Sequence, residues 1–284
     1  MSIFDSFEKK HDYLICVDSD GCVMDTMNCK HFHCFGPCMV REWGLEEWQE
    51  PILERWNVIN LFSMTRGVNR FKGLAMALSE IDRKYTPIPG IKALQHWAET
   101  APALSNDGVA QAASEATDPE AKAILEKALA WSKAVNAAIV QLDDSLKVPY
   151  SGADEGLAAA HQFADVAMVS SANRDAVEEE WGKFGLLEHT DIVLAQDVGS
   201  KAVCIAAMLR FGYDPDKVLM IGDAPGDYEA AVRNKVHFYP ILVNHEKASW
   251  QEAVSTAYGK LRKGAYAAYG AEKKQAFLDN LSEN

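Results

Sequence analysis

The chain has 284 residues, of which 48% are hydrophobic and 24% are charged, a composition typical of a globular protein with one core and room for a second, smaller one. The formal net charge of −13 disfavours nucleic-acid binding, which depends on Lys and Arg displacing counterions. No apolar run reaches the roughly 18 residues that span a bilayer. The stretch from Met1 to His11 is too polar for a secretory signal. We therefore expect a cytoplasmic protein with no nucleic-acid or membrane partner.

Short apolar runs predict five buried strands of a parallel sheet. In chain order they are Tyr13–Val17, Val166–Val169, Ile192–Leu194, Val218–Ile221 and Phe238–Val243. Pro240 cannot donate a backbone hydrogen bond, so the last run suits an edge strand. Helical patterns at Asp175–Phe184, Ser200–Arg210 and Tyr228–Asn234 separate the later runs. Alternating strands and helices predict an α/β fold with a doubly wound sheet.

The stretch between the first and second strands has no convincing strand pattern. It contains helical patterns at Leu74–Ile81, Ile91–Glu99 and Glu120–Leu142. We predict a helical domain at residues 27–148, inserted into an α/β core domain made of residues 1–26 and 149–284. The tryptophans of the insert are predicted to lie in its core; they are Trp43, Trp48, Trp56 and Trp97. The tail from Ala248 is predicted to be charged and helical, without chemistry of its own.

Polar residues end three of the predicted strands, at Asp18, Ser170 and Asp223. Ligands of doubly wound sheets bind beyond the carboxyl ends of the strands. Asp18 and Asp20 flank one residue in a turn, where two crowded carboxylates need a cation or a shared proton. One can then act as a nucleophile while the other transfers protons. A solvated acidic turn is the alternative for this pair.

Three further segments carry candidate polar groups. Asp223 and Asp227 lie in a Gly-Asp-x-x-x-Asp segment, whose oxygens suit a hard cation such as Mg²⁺. Ser170 can bind phosphate oxygens or cap a helix. Lys201 opens a predicted helix, where its charge opposes the helix dipole, so it either balances negative groups or is a surface lysine. A divalent cation would also offset the acidity of the chain near an anionic substrate.

Taken together, the order Asp-x-Asp, Ser, Lys and Gly-Asp-x-x-x-Asp over residues 11–26 and 150–245 resembles the haloacid dehalogenase superfamily. The resemblance implies a Rossmannoid core and identifies the helical insert as a type-one cap. It also implies Asp18 as the nucleophile and Asp20 as the general acid and base. The remaining implied roles are phosphate binding by Ser170, Ser171 and Lys201, and Mg²⁺ binding by Asp18, the main-chain carbonyl of Asp20, Asp223 and Asp227.

This resemblance implies a magnesium-dependent phosphomonoester hydrolase that acts through an aspartyl-phosphate on a small phosphorylated metabolite. A phosphosugar mutase and a non-enzymatic phospho-accepting or binding protein are the alternatives. Asp20 disfavours a dehalogenase or a phosphonatase, which usually lack that second carboxylate. The chain departs from the pattern at Cys22, where many members have Thr, and in the absence of Pro after Lys201. The predicted cap is also longer than usual, so the substrates of other family members are a weaker guide to the substrate of this protein.

Two segments of the insert hold groups of functional residue types. The first has three cysteines and two histidines between Cys29 and Cys38, enough ligands for zinc. The spacing matches no paired zinc pattern, and Gly36-Pro37 is expected to interrupt any helix, so we predict residues that face the active site instead. The six cysteines of the chain are expected to be reduced thiols. The second segment holds Arg66, Arg70 and Lys72. It faintly resembles the cap loop of β-phosphoglucomutases, so these cations either recognise an anionic substrate or offset the acidic chain.

Overall fold

The computed structural model describes residues 3–282 and divides the chain into two compact units. One contains the described residues up to Met27 and those from Lys147 onward, and the other is Asn28–Leu146. No helix within residues 3–282 combines the length and the apolar character needed to cross a bilayer. The two units are described separately below.

The first unit is built on five parallel strands in the order β3-β2-β1-β4-β5. The strands are β1 (Tyr13–Val17), β2 (Ala164–Val169), β3 (Ile192–Leu194), β4 (Val218–Gly222) and β5 (His237–Pro240). All five predicted strands are therefore confirmed, although β5 ends at Pro240. That proline lies in an edge strand, as its missing N–H requires.

Fourteen α-helices are present in the described residues. They are α1 (Thr26–Lys30), α2 (Gly36–Trp43), α3 (Gln49–Leu61), α4 (Arg70–Lys84), α5 (Ile91–Thr100), α6 (Asn106–Glu115), α7 (Pro119–Val140), α8 (Ala153–His161), α9 (Arg174–Lys183), α10 (Lys201–Leu209), α11 (Pro225–Asn234), α12 (Glu246–Glu252), α13 (Tyr258–Arg262) and α14 (Tyr266–Asn280). Ser200 begins α10 as predicted, because its side chain accepts a hydrogen bond from Val203 N at 3.4 Å.

The register of the sheet places the functional segments side by side. Val17 lies opposite Met168 of β2 and Ile221 of β4. The strands are parallel, so the residues that follow β1, β2 and β4 emerge at the same edge of the sheet. Chain order reverses across β1, with β2 on one side and β4 on the other, which is where α/β sheets bind ligands. The topology therefore brings the polar strand ends at Asp18, Ser170 and Asp223 together.

The Asn28–Leu146 unit is entirely helical in the part that the structure describes. Its core contains Trp56, Phe71 and Trp131, whose rings meet edge to face. Trp97 is also buried there, and Trp43 and Trp48 pack against the same core. The predicted core role of the tryptophans is confirmed.

One expectation about this unit is wrong, because Gly36-Pro37 does not interrupt the helix. A π-helical turn at His31–Phe35 continues directly into α2, with Pro37 in its first turn. The first turn of a helix tolerates the missing N–H of proline, whose φ already suits a helix. The thiols of Cys34 and Cys38 then fall inside the hydrophobic core.

The carboxylate of Asp191 ties together several segments before β3. It accepts hydrogen bonds from Lys10 Nζ at 2.9 Å and Val166 N at 2.8 Å, and His161 Nε2 lies 3.2 Å away. Burial alone would raise the Asp191 pKa, but these donors outweigh burial and hold the pKa below its usual value. The Asp191 carboxylate therefore stabilises the fold only while it is ionised.

We predict that Asp191→Asn lowers the thermal unfolding midpoint in a pH-dependent way. Because the folded-state pKa is depressed, the contribution of the carboxylate is complete above the unfolded pKa of about 3.9 and is lost as pH falls through the folded pKa. Thermal unfolding of both proteins between about pH 6 and pH 3 measures the effect. The gap between the two midpoints should close toward pH 3; a gap of constant size would contradict the prediction.

Candidate active site

The loop after β1 is a tight turn built around Ser19. The Ser19 carbonyl accepts hydrogen bonds from the backbone N–H groups of Cys22, Val23 and Met24 at 3.3, 3.0 and 2.9 Å. Gly21 takes a φ of 86°, in the left-handed region that glycine adopts without a steric penalty. This turn fixes Asp18, which is 5% exposed, and Asp20 on either side of the fully buried Ser19.

The loop after β4 is organised by the buried Asp227. Its Oδ2 accepts hydrogen bonds from the backbone N–H groups of Asp223 and Ala224 at 3.1 and 3.0 Å. Asp227 lies in the first turn of α11, where a negative charge is favoured by the helix dipole. The two bonds fix the backbone next to the Asp223 side chain.

Lys201 joins the two loops electrostatically. Its Nζ lies 2.7 Å from Asp18 Oδ2 and 2.6 Å from Asp227 Oδ1. The Lys201 side chain is only 15% exposed. This burial is consistent with the predicted functional role and argues against the alternative of a surface lysine. Lys201 therefore supplies the positive charge that holds two buried carboxylates close together.

Asp18, Asp223 and Asp227 form a buried acidic cluster. Each offers a carboxylate oxygen, and these oxygens lie within 4.8 Å of one another. Burial raises the Asp18 pKa; Lys201 opposes that shift, while Asp227 and Asp223 reinforce it. For Lys201, burial alone would lower the pKa, but Asp18 and Asp227 prevail and raise it. Lys201 thus stays protonated beside the carboxylates.

The donor set of this cluster fits a hard divalent cation. Mg²⁺ prefers oxygen ligands from one or two carboxylates together with substrate phosphate. Three carboxylates and one ammonium share this buried site, where a divalent cation would compensate the negative charge that the carboxylates carry when ionised. In residues 3–282, no comparable ligand group is found at the Cys29–Cys38 segment.

The Asp20 carboxylate is not part of the acidic cluster. Its Oδ1 accepts a hydrogen bond from the hydroxyl of the buried Thr26. This separation suits a group that transfers protons, and it leaves only the Asp20 main chain as a candidate metal ligand. Both roles of Asp20 stay predictions.

Ser170 and Ser171 lie where β2 ends. Ser170 is buried and its hydroxyl oxygen accepts the Ala172 N–H at 3.1 Å, while Ser171 is exposed. The Ser170 backbone N–H donates to Leu194 O at 2.9 Å, which ties this turn to the end of β3. The phosphate-binding role of both serines stays a prediction.

The three predicted cap cations differ in their surroundings within the Asn28–Leu146 unit. Arg66 is buried and donates from Nη1 to Leu61 O at 2.8 Å. Arg70 donates from Nη1 to Ser132 Oγ and Asn136 Oδ1, and its guanidinium lies 5.0 Å from the centre of the Phe35 ring. Lys72 is exposed. These contacts give Arg66 and Arg70 structural roles, and substrate recognition by any of the three stays a prediction.

Gly222 proves essential to the geometry of the Asp227 carboxylate. A Cβ at this position would lie 2.3 Å from Asp227 Cγ and 2.4 Å from Oδ2. Asp227 cannot move away cheaply, because both of its oxygens are held by hydrogen bonds. Glycine is therefore required here for close approach.

We predict that Gly222→Ala lowers kcat by about 100-fold, as misplaced catalytic groups typically do, and destabilises the fold by about 1–3 kcal/mol through overpacking. Gly226→Ala is the matched control, because no atom lies within 4 Å of a Cβ at that position in the same segment. Steady-state kinetics and thermal unfolding of both variants test this. Equal effects of the two substitutions would show that the close approach is unimportant.

Two tryptophans that carried no sequence signal support the Asp18 turn. Trp181 Nε1 donates to Ser19 Oγ at 2.8 Å, and Trp250 Nε1 donates to Cys22 O at 3.0 Å. Trp250 belongs to the tail, where no contribution to the site was expected. The only possible signal was the presence of large aromatic residues in otherwise polar helices, which core packing explains equally well.

Fold and site together define an α/β enzyme whose polar groups collect at the carboxyl ends of a parallel sheet. The family model for haloacid dehalogenase-like hydrolases matches residues 90–241, more than half of the chain. This protein belongs to the haloacid dehalogenase-like hydrolase family, so the predicted family, fold class and hydrolase nature are confirmed. The matched range includes Ser170, Lys201, Asp223 and Asp227; the structure itself brings Asp18 to the last three.

Solved structures from the same family resemble this chain. A haloacid dehalogenase-like hydrolase from Xanthomonas campestris is 14% identical with a TM-score of 0.50, and the alignment covers 90% of this chain and 97% of that one. A protein assigned as a phosphoglycolate phosphatase from Lactobacillus delbrueckii is also 14% identical (TM-score 0.49, coverage 81% and 85%). One assigned as a β-phosphoglucomutase from Thermotoga maritima is 16% identical (TM-score 0.48, coverage 80% and 84%). At such identity, the likeness to the Xanthomonas protein is evidence of fold alone. Comparison with curated proteins gives no match.

Proposed function

We propose that this protein is a magnesium-dependent phosphomonoester hydrolase that forms an aspartyl-phosphate on Asp18 and acts on a small phosphorylated metabolite. The observation that carries the proposal is the contact of Lys201 Nζ with Asp18 Oδ2 at 2.7 Å inside the buried acidic cluster. Burial raises the Asp18 pKa, and the Lys201 ammonium opposes that shift and so favours the ionised, nucleophilic form of the carboxylate.

The residues divide the reaction into two displacements. An Asp18 oxygen forms a bond to phosphorus as the bond from phosphorus to the leaving oxygen breaks, and Asp20 gives that oxygen a proton. Asp20 then takes a proton from water, whose oxygen attacks phosphorus and releases Asp18 and inorganic phosphate. Lys201 and the Ser170 hydroxyl face the charge on the non-bridging oxygens. When bound by Asp18, Asp223 and the Asp20 carbonyl, Mg²⁺ would neutralise further charge on the phosphoryl group.

Two alternative activities use the same residues. A mutase would return the phosphoryl group from Asp18 to a second hydroxyl of a phosphosugar, and a structure assigned as a β-phosphoglucomutase is among the similar folds. A phospho-accepting protein would keep a stable aspartyl-phosphate. The Asp20 carboxylate, which accepts a hydrogen bond from Thr26 and lies two residues after Asp18 in the same turn, favours turnover over stable storage.

Hydrolysis of p-nitrophenyl phosphate with and without Mg²⁺ tests the proposal. We expect phosphate release that stops on chelation by EDTA and returns when Mg²⁺ exceeds the chelator. Mg²⁺ should also raise the thermal unfolding midpoint, because an ion that binds only the folded state stabilises it. A screen of phosphorylated metabolites, with a bisphosphate sugar added in one arm, separates hydrolysis from transfer. Activity of equal size in EDTA would overturn the magnesium requirement.

A further inference from the structure

Helix α9 contacts three of the segments that carry candidate catalytic groups. It begins directly after the turn that holds Ser170 and Ser171. Asn173 caps its first turn by accepting the Ala176 N–H at 3.3 Å. The helix has ten residues, which corresponds to a length of about 15 Å. It therefore reaches well beyond the loop from which it starts.

The first turn of α9 holds the loop that leads to Lys201. Arg174 donates from Nε and Nη2 to the two oxygens of Asp197, both at 3.0 Å, and from Nη1 to Val193 O at 3.1 Å. A paired arrangement of this kind fixes orientation as well as distance. The backbone N–H of Gln196 also donates to Ala172 O at 3.0 Å. The Ser170 turn and the Lys201 loop are thus joined at one end of the helix.

The last turns of α9 contact the turn that holds Asp18, Ser19 and Asp20. Trp181 is fully buried, and its Nε1–H donates to the hydroxyl of Ser19, which is also fully buried. Ser19 stands between Asp18 and Asp20, and its carbonyl organises the whole turn. Because a buried hydroxyl and a buried indole N–H each need a partner, this bond favours one position of the turn relative to the helix.

We propose that Trp181 is a positioning residue of the proposed reaction: from α9 it holds the Asp18–Asp20 turn in register with the loops that carry Ser170 and Lys201. The expected effect of Trp181 on the reaction rate rests on the proposed function, whereas its expected effect on the position of the turn does not. A phosphoryl group bound by Ser170 and Lys201 must lie in line with the Asp18 oxygen. Small displacements of a nucleophile are costly to rate even when substrate binding is unaffected.

Trp181→Phe tests this proposal, because it keeps an aromatic ring and removes the N–H donor. We expect kcat for p-nitrophenyl phosphate to fall by about 10- to 100-fold while KM stays within about twofold. Ser19→Ala, which removes the other partner, should give the same loss. The double variant should be no worse than either single one, since both changes break a single bond.

Trp131→Phe is the matched control. Trp131 is also fully buried and donates to a carbonyl, that of Phe35, at 3.2 Å in the Asn28–Leu146 unit. It should lower the thermal unfolding midpoint as Trp181→Phe does but leave kcat unchanged. A loss of kcat in Trp131→Phe equal to that in Trp181→Phe would reduce the effect to general destabilisation and overturn the proposal.

Hydrogen exchange provides a readout that does not depend on activity. The amides of Cys22, Val23 and Met24 donate to Ser19 O, so they should exchange about 10-fold faster in Trp181→Phe and in Ser19→Ala than in the wild type. Exchange in β1 should not change. If Trp181→Phe does not fold, Ser19→Ala decides the question alone.

The outcomes separate the two proposals. A wild type that hydrolyses no phosphate ester refutes the proposed function, and the exchange rates still test the positioning role. An active wild type with unchanged kcat and unchanged exchange in both variants refutes the positioning role alone.

Discussion

Asp18→Asn is expected to reduce hydrolysis of p-nitrophenyl phosphate to the background rate while the protein stays folded. An amide oxygen is a far weaker nucleophile than a carboxylate, and loss of a nucleophile in other enzymes lowers kcat by about a million-fold. The fold should survive, because the substitution preserves the shape of the side chain and replaces one of three crowded carboxyl groups with a neutral amide. Steady-state kinetics in Mg²⁺ together with thermal unfolding measure both parts.

Asp191→Asn is the control for this substitution. Asp191 is another largely buried, ion-paired aspartate of the same unit, but it precedes β3, at the opposite end of the sheet from Asp18. It should lose stability and keep kcat. Full activity in Asp18→Asn would remove the nucleophile from the proposal, whatever the control shows.

Lys201→Met is expected to have the second largest effect, on both stability and activity. The ammonium contacts two buried carboxylates at 2.7 and 2.6 Å, and removing one partner of a buried ion pair costs about 3–5 kcal/mol, because the remaining charges are left uncompensated. We also expect kcat to fall by at least about 100-fold, as it does when one group that stabilises developing charge is lost.

The magnesium dependence of that variant distinguishes charge compensation from packing. Once the ammonium is gone, a divalent cation is the remaining source of positive charge in the cluster. Mg²⁺ should therefore raise the unfolding midpoint of Lys201→Met by more than it raises that of the wild type. Equal shifts in the two proteins would show that Lys201 and the ion do not share the task of neutralising the carboxylates.

The fold was largely predictable because its signals are local and periodic. Leu14–Val17 and Val218–Ile221 are uninterrupted apolar runs, as strands buried on both faces require. The proline at 240 identified an edge correctly. The expectation for Gly36-Pro37 failed for a physical reason: the π-helical turn gives way to α2 at Gly36, so Pro37 falls in the first turn of α2, where its missing N–H is tolerated, and sequence alone did not show this boundary.

The sequence predicted the site residues that end strands, but not the residues that support them. Asp18, Ser170 and Asp223 share an edge because the topology is parallel, a global property that the strand pattern implies. The support for these residues is not local. Trp181 lies 162 residues from Ser19, and Trp250 lies 228 residues from Cys22, so no motif or spacing could associate them. The need for Gly222 is equally invisible, because it depends on the rotamer of Asp227.

The central position of β1 has a consequence for biosynthesis. β1 leaves the ribosome before the other four strands of its sheet, and its two neighbours begin at Ala164 and Val218. At about 5–20 residues per second, its second neighbour follows roughly 10–40 s later. Until Ala164–Val169 has been translated, the apolar segment Leu14–Val17 has no neighbouring strand to pair with, whereas the contiguous Asn28–Leu146 unit can already complete its own core. Asp18 likewise has no ammonium beside it until Lys201 has been translated, so Leu14–Val17 and the loop after it are most exposed to aggregation and chaperones before their neighbours in the fold are made.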